Sequence, residues 1–146
     1  MQDSKVKRPG SYRDALSAEK MDELQGKILR VLVLDKKYLD KEYSAKHLAE
    51  DIGTNTRYIS AVINSRFHVN YSEFVNKQRI DDAMSMLTDK RFLQLSICDI
   101  ADKVGFSNRQ SFYSAFFKFQ GTTPRKYRVE YLSKHPELQR KANAKK

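Results

Sequence analysis

Ser107-Asn108-Arg109-Gln110-Ser111 is a run of five hydrogen-bonding side chains, and four phenylalanines, Phe112, Phe116, Phe117 and Phe119, follow within the next eight residues. Polar groups concentrated at the tip of an otherwise apolar segment have a surface to recognise, while burial of the rest holds the tip in place. The arginine suits nucleic-acid bases, because a guanidinium can bond guanine O6 and N7 together, a typical sequence-specific contact. Asn55-Thr56-Arg57-Tyr58, followed by Ser60, Ala61 and Asn64, has a similar make-up. At about 100° per residue, Ile59, Val62, Ile63 and Arg66 share the inward face there, the arginine by its aliphatic stem. Arg57, Ala61 and Asn64 share the opposite face, with Tyr58 and Ser60 at its margins. In the later segment Phe112, Ala115, Phe116 and Phe119 form the inward stripe. Gln110 and Ser114 point away, and Asn108, Arg109 and Ser111 occupy the tip. Phe117 projects towards the reading side near the helix end and is expected to pack under the last helix.

Other chemistries find no support. His47, His68 and His135 share no metal-ligand spacing with one another or with Cys98, which reads as a small buried residue on a short helix. Asp81 and Asp82 are helix neighbours that do not face each other, so they read as a solvated face rather than an acid-base pair. No phosphate-cradling glycine loop and no nucleophile-base constellation is present. The expectation is therefore no enzyme, no cofactor and no metal.

Composition bounds the class. The 146 residues are 40% hydrophobic with five Gly and three Pro, which favours a folded, helix-rich chain. The formal net charge of +10 points towards a polyanionic partner. Residues 1–14 hold four Lys/Arg against two acids and residues 134–146 five against one, so the tails carry six of the ten charges and 15–133 keeps +4. A basic tail is ordinarily just solvated, so charge alone does not decide for nucleic acid. One cysteine cannot form an internal disulfide and suits a reducing compartment. The N-terminus lacks the apolar core of a signal peptide, and Ile28–Leu34, interrupted by Arg30, is far short of a membrane span. These features read as a soluble, cytoplasmic protein.

The positioning elements are helices. Residues 1–17 read as an arm. Met21, Leu24, Ile28, Val31 and Leu32 recur at helical spacing from Ser17, a cap, to about Lys37. Residues 38–43 read as a loop, with helices following at Ser44–Ile52 and Thr56–Arg66 around a break at Gly53. Tyr71–Thr88 is a longer helix with Phe74, Ile80, Ala83, Met84 and Leu87 as its apolar positions. Then come Ser96–Val104, a break at Gly105, Asn108–Gln120, Gly121 as terminator, and a last helix from Pro124. At an offset of 52, Ser44, Leu48, Ala49, Ile52 and Gly53 fall on Ser96, Ile100, Ala101, Val104 and Gly105. With one extra residue in the second turn the offset becomes 53, and Ile59, Ile63 and Phe74 fall on Phe112, Phe116 and Tyr127. Each copy has a small residue for a close helix crossing, a glycine four positions on for the tight turn, and a capping side chain (Asn55, Ser107) before the next helix. That is the pattern of a helix-turn-helix, whose second helix enters the DNA major groove by its N-terminal residues.

The run IADKVGFSNRQSFYSAFFKFQGTTPRKYR resembles the signature of the AraC/XylS family of bacterial transcription regulators, and HLAEDIGTNTRYISAVINSRFHVNYSEFVNKQRIDDA resembles that family's first helix-turn-helix and linker helix. The similarity covers roughly residues 20–130. It implies an all-α, seven-helix, bundle-like domain with two helix-turn-helix subdomains joined by a long linker helix. The family's base-contacting positions fall on Arg57, Ser60 and Ala61, and on Arg109, Gln110, Ser111 and Ser114. His68 stands where the family usually has glycine, so the turn there is expected to be built differently. Ala61 and Ser114 stand where longer side chains often contact DNA. Arg79, inside the linker helix, has two readings, a phosphate contact or an internal ion pair. Arg128 packs the last helix or contacts phosphate.

The reading is a sequence-specific regulator of transcription, an activator that touches RNA polymerase by family resemblance, with double-stranded DNA as partner and no effector site or membrane contact. Its rivals are a DNA-binding output module of a larger or multi-chain sensor system, and a non-specific nucleic-acid-binding or helical interaction protein. Base-reading candidates are Arg57, Tyr58, Ser60, Ala61, Asn64, Asn108, Arg109, Gln110, Ser111 and Ser114; phosphate candidates are Asn55, Thr56, Ser107 and Arg128. The expected organisation is an arm (1–17), a first subdomain (18–70), a linker helix (71–90), a second subdomain (91–133) and a basic tail (134–146). A linker of about 17 residues spans roughly 25 Å, and two recognition helices on one DNA face lie about 34 Å apart, so one monomer is expected to cover two adjacent major grooves.

Overall fold

The computed structural model describes residues 16–139; most of the expected arm and the end of the basic tail lie outside them. Among the described residues all regular structure is helical. The α-helices are α1 (Ala18–Leu29), α2 (Ala45–Ile52), α3 (Thr56–Phe67), α4 (Tyr71–Leu87), α5 (Ile97–Lys103), α6 (Arg109–Gln120) and α7 (Pro124–Ser133). The chain divides into two compact units. One is formed by the residues up to Lys37 with Glu42–Val75, the other by Tyr38–Lys41 with the residues from Asn76 onward. The division falls inside α4.

In the first unit, Ser17 caps α1 by accepting the Lys20 N–H at 3.0 Å. Leu16 beside it, within the expected arm, is buried. The α-helix expected to reach Lys37 stops at Leu29 and widens into a π turn (Arg30–Leu34), closed by the Asp35 N–H on the Arg30 carbonyl at 2.8 Å. Val31 and Val33 are stiff β-branched residues that weaken a regular helix here. Lys36 then takes a left-handed φ of 56°. α2 opens on a reciprocal cap in which Ser44 Oγ accepts the His47 N–H at 3.3 Å while His47 Nδ1 accepts the Ser44 N–H at 3.1 Å, histidine standing where an acid is usual. Leu24, Ile28, Leu32, Leu48, Ile59, Val62 and Ile63 make the core, and Phe74 seals one side with its ring 4.9 Å from Phe67. Arg66 turns inward as expected, its guanidinium 2.8 Å from both Gln25 Oε1 and Asp22 Oδ1 of α1.

The second unit is built on Ile80, Ala83 and Leu87 of α4 with Ile100, Ala101, Val104, Phe106, Phe112, Ala115 and Phe116. Phe116 meets Phe112 and Tyr127 edge-on at 5.8 and 5.6 Å. The expected loop 38–43 opens with a 3-10 turn (Lys37–Leu39) and straps the unit together. Tyr38 is buried and its hydroxyl donates to Asp82, Lys41 pairs with Asp102, and Arg79 donates from Nε to the Tyr38 carbonyl at 2.7 Å. Arg79 also donates to the Asp40 carbonyl at 3.3 Å and lies 5.7 Å from the Phe106 ring, so it holds the strap from inside the unit. Gly105 (φ 107°) is pressed against the same strap: a Cβ there would lie 2.6 Å from the Tyr38 carbonyl oxygen. α7 starts on Thr123, whose hydroxyl accepts the Lys126 N–H at 3.1 Å, with Pro124 in its first turn. Beyond it His135 stacks on Tyr131 at 4.1 Å, which places the start of the expected tail against the helix.

Three packing expectations need correction. Cys98 is exposed, while Ile100 and Ala101 carry the buried side of α5. Phe119 is half-buried rather than part of the sealed stripe. Phe117 does not pack under α7 and stays 58% exposed.

Candidate nucleic-acid interface

The tip of α3 is set by Asn55, whose extended backbone leads into the helix and whose Oδ1 accepts the Tyr58 N–H at 2.9 Å. A helix N-terminus carries a partial positive charge, favourable to an anion. Asn55, Thr56, Arg57, Ser60 and Asn64 are exposed and Tyr58 is half-buried. Ala61 corrects the expected outward face: it is buried, at 9% exposure.

α6 repeats this construction. Asn108 is extended and its Oδ1 accepts the Ser111 N–H at 2.8 Å. The cap is thus Asn108, not Ser107, and it falls 53 residues after Asn55, in register with the core repeat. Its amide oxygen is committed to the helix. Ser107, Arg109, Gln110, Ser111 and Ser114 are exposed, while Phe112 and Phe116 on the other side have no exposure at all. The apolar anchor therefore fixes the roll of the helix and with it the direction of the polar tip.

Arg109 is oriented by a residue absent from the candidate set. Its guanidinium carbon lies 5.0 Å from the Tyr113 ring centroid, and Tyr113 in turn meets buried Phe112 edge-on at 5.9 Å. The signal was an aromatic residue four positions after an arginine on one helix face, where cation and ring can meet.

Arg128 leaves the phosphate set. Its guanidinium donates to the carbonyls of Leu87 (3.0 Å), Leu95 (2.9 Å) and Phe92 (3.1 Å), and burial lowers its pKa from the ordinary arginine value. It gathers the end of α4 and the connection to α5 onto α7. His68, where a differently built turn was expected, simply adopts the left-handed conformation itself, at φ 62° and ψ 30°.

The family model described as a helix-turn-helix domain matches residues 48–130, more than half of the chain. The chain belongs to the AraC-type helix-turn-helix family. Among curated relatives, the HTH-type transcriptional regulator YtdP of Bacillus subtilis (strain 168) is 29% identical over 94 residues, covering 64% of this chain and 12% of that protein. The melibiose operon regulatory protein of Escherichia coli (strain K12) is 28% identical over 89 residues, covering 61% of this chain and 28% of that one. The AraC-type chain thus spans under a third of these relatives' lengths. Among solved structures, the DNA-binding domain of AdpA in complex with a target DNA shares the fold at a TM-score of 0.64 and 20% identity, over 77% of this chain and 96% of that one.

Proposed function

We propose that this AraC-type chain is the DNA-binding part of a transcription regulator and reads duplex DNA sequence-specifically with the first turns of α3 and α6. The observation that carries the reading is one arrangement made twice: an asparagine cap, exposed polar residues around an arginine (Arg57, Arg109), and a fully buried anchor on the opposite face (Ile59 and Ile63, Phe112 and Phe116). Arg57 and Arg109 read guanine edges; Ser60, Asn64, Gln110, Ser111 and Ser114 contribute further contacts. Asn55, Thr56 and Ser107 approach phosphates, aided by the positive helix ends. Regulation of transcription is supported by the names of the relatives, and activation through RNA polymerase is the form it takes in this reading.

One chain supplies both reading helices, and α4 runs unbroken over 17 residues between them. On that basis we assign the chain two contact boxes, one for each reading helix. Measuring duplex affinity over a salt series tests the electrostatic part. Affinity should fall with salt at a log–log slope of about −0.9 per neutralised phosphate. Affinity indifferent to salt, or equal for every duplex at all salt concentrations, would count against the proposal.

A further inference from the structure

We infer that Phe117 is a specificity residue, its exposed ring seating against the 5-methyl group of a thymine in the major groove. The inference rests on the reading above, that α6 presents its exposed face to DNA.

Gln110, Ser114 and Phe117 stand at i, i+4 and i+7 of α6, which places them on one stripe of the helix. All three are exposed, Phe117 at 58%. The ring cannot be reclaimed by the core, because Phe112 and Phe116 already fill the opposite face and fix the helix roll. Nor does the fold require an apolar group there. The position 53 residues earlier, equivalent in the repeat, is Asn64, also exposed. A phenyl group left in water next to exposed Lys118 has a use if a complementary apolar group comes to it.

The chemistry of the groove names that group. A phenyl ring offers no donor or acceptor to base edges, and the apolar feature of the major groove is the thymine C5-methyl. Cytosine at the same place has hydrogen instead of the methyl at C5 and would leave the ring without that contact, which adds discrimination. Seven residues along α6 is roughly 10 Å, or about three base-pair steps, so the thymine lies some three steps from the base met by Gln110.

The test uses a duplex selected by the wild-type protein, with each thymine replaced in turn by deoxyuridine. That change removes the methyl and keeps every hydrogen-bonding group. At one position the replacement should weaken wild-type binding roughly fourfold, the scale of one buried methyl-sized group. Phe117→Ala should bind the thymine and uracil duplexes equally, and Phe117→Leu should keep part of the preference. Should Phe117→Ala unfold more easily, Phe117→Leu carries the comparison. Wild-type indifference at every thymine would overturn the assignment, as would a uracil penalty that survives in both variants. DNA binding unaltered in Phe117→Ala would instead give the ring to a protein contact and also overturn it. If selection yields a motif but no methyl effect, only the Phe117 assignment fails. If no motif is selected, the underlying DNA-reading proposal fails and takes this one with it.

Discussion

Arg109 opens α6 and Arg128 lies midway along α7, and the structure gives them opposite work. Arg109 is exposed and steadied by Tyr113, whereas Arg128 spends its guanidinium on three carbonyls. Arg109→Ala should cost about 1–3 kcal/mol of binding at the preferred site and relax preference at one base pair, with melting temperature unchanged. Competition binding against single-base variants of the site measures it. Arg128→Lys should do the reverse. An ammonium cannot span three acceptors as a planar fork does, and stranding buried carbonyls should cost about 2–4 kcal/mol of unfolding free energy in a denaturant titration. Site preference of the folded protein should be unaltered. The sequence separated these roles only in part. A polar tip before an apolar stripe is a local pattern and marks Arg57 and Arg109 directly. Arg128 depends on Leu87, Phe92 and Leu95, up to 41 residues away, which no helical wheel brings together. Ala61 misled for a related reason: periodicity gives the direction of a methyl but not its burial, which depends on the folded surroundings.

The two helix-turn-helix turns look alike in sequence, each with alanine and then glycine four residues on, but they are under different constraints. Gly53 (φ 75°) has open space where a side chain would go, so it is required for its backbone conformation alone. Gly105 (φ 107°) faces the Tyr38 carbonyl oxygen at 2.6 Å and Arg79 Nε at 2.9 Å. Gly53→Ala should cost about 1–2 kcal/mol, the strain of a left-handed alanine. Gly105→Ala should cost clearly more, because strap and turn cannot both stay in place. Thermal unfolding of the two variants side by side checks the order. Helix positions were legible because caps, terminators and 3.6-residue periodicity are local features: Ser17, Ser44, Asn55, Ser96 and Thr123 all accept the backbone N–H three residues on. The strap was not legible. Its residues resemble a loop, and its value lies in Asp82, Asp102 and Arg79, which meet it only after folding.

For the whole molecule, the question is which part of the +10 charge does the binding. The tails hold six of those charges, and a non-specific binder would depend on them. Base reading by α3 and α6 would not, since counterion release adds affinity without sequence information. Selecting bound sequences from a pool of random duplexes, with the full chain and with a chain trimmed of residues 1–14 and 134–146, tests this most directly. Trimming should weaken binding but leave the same enriched motif from both proteins, with one box for each reading helix. Binding abolished by trimming, or no enriched motif from either protein, would contradict it.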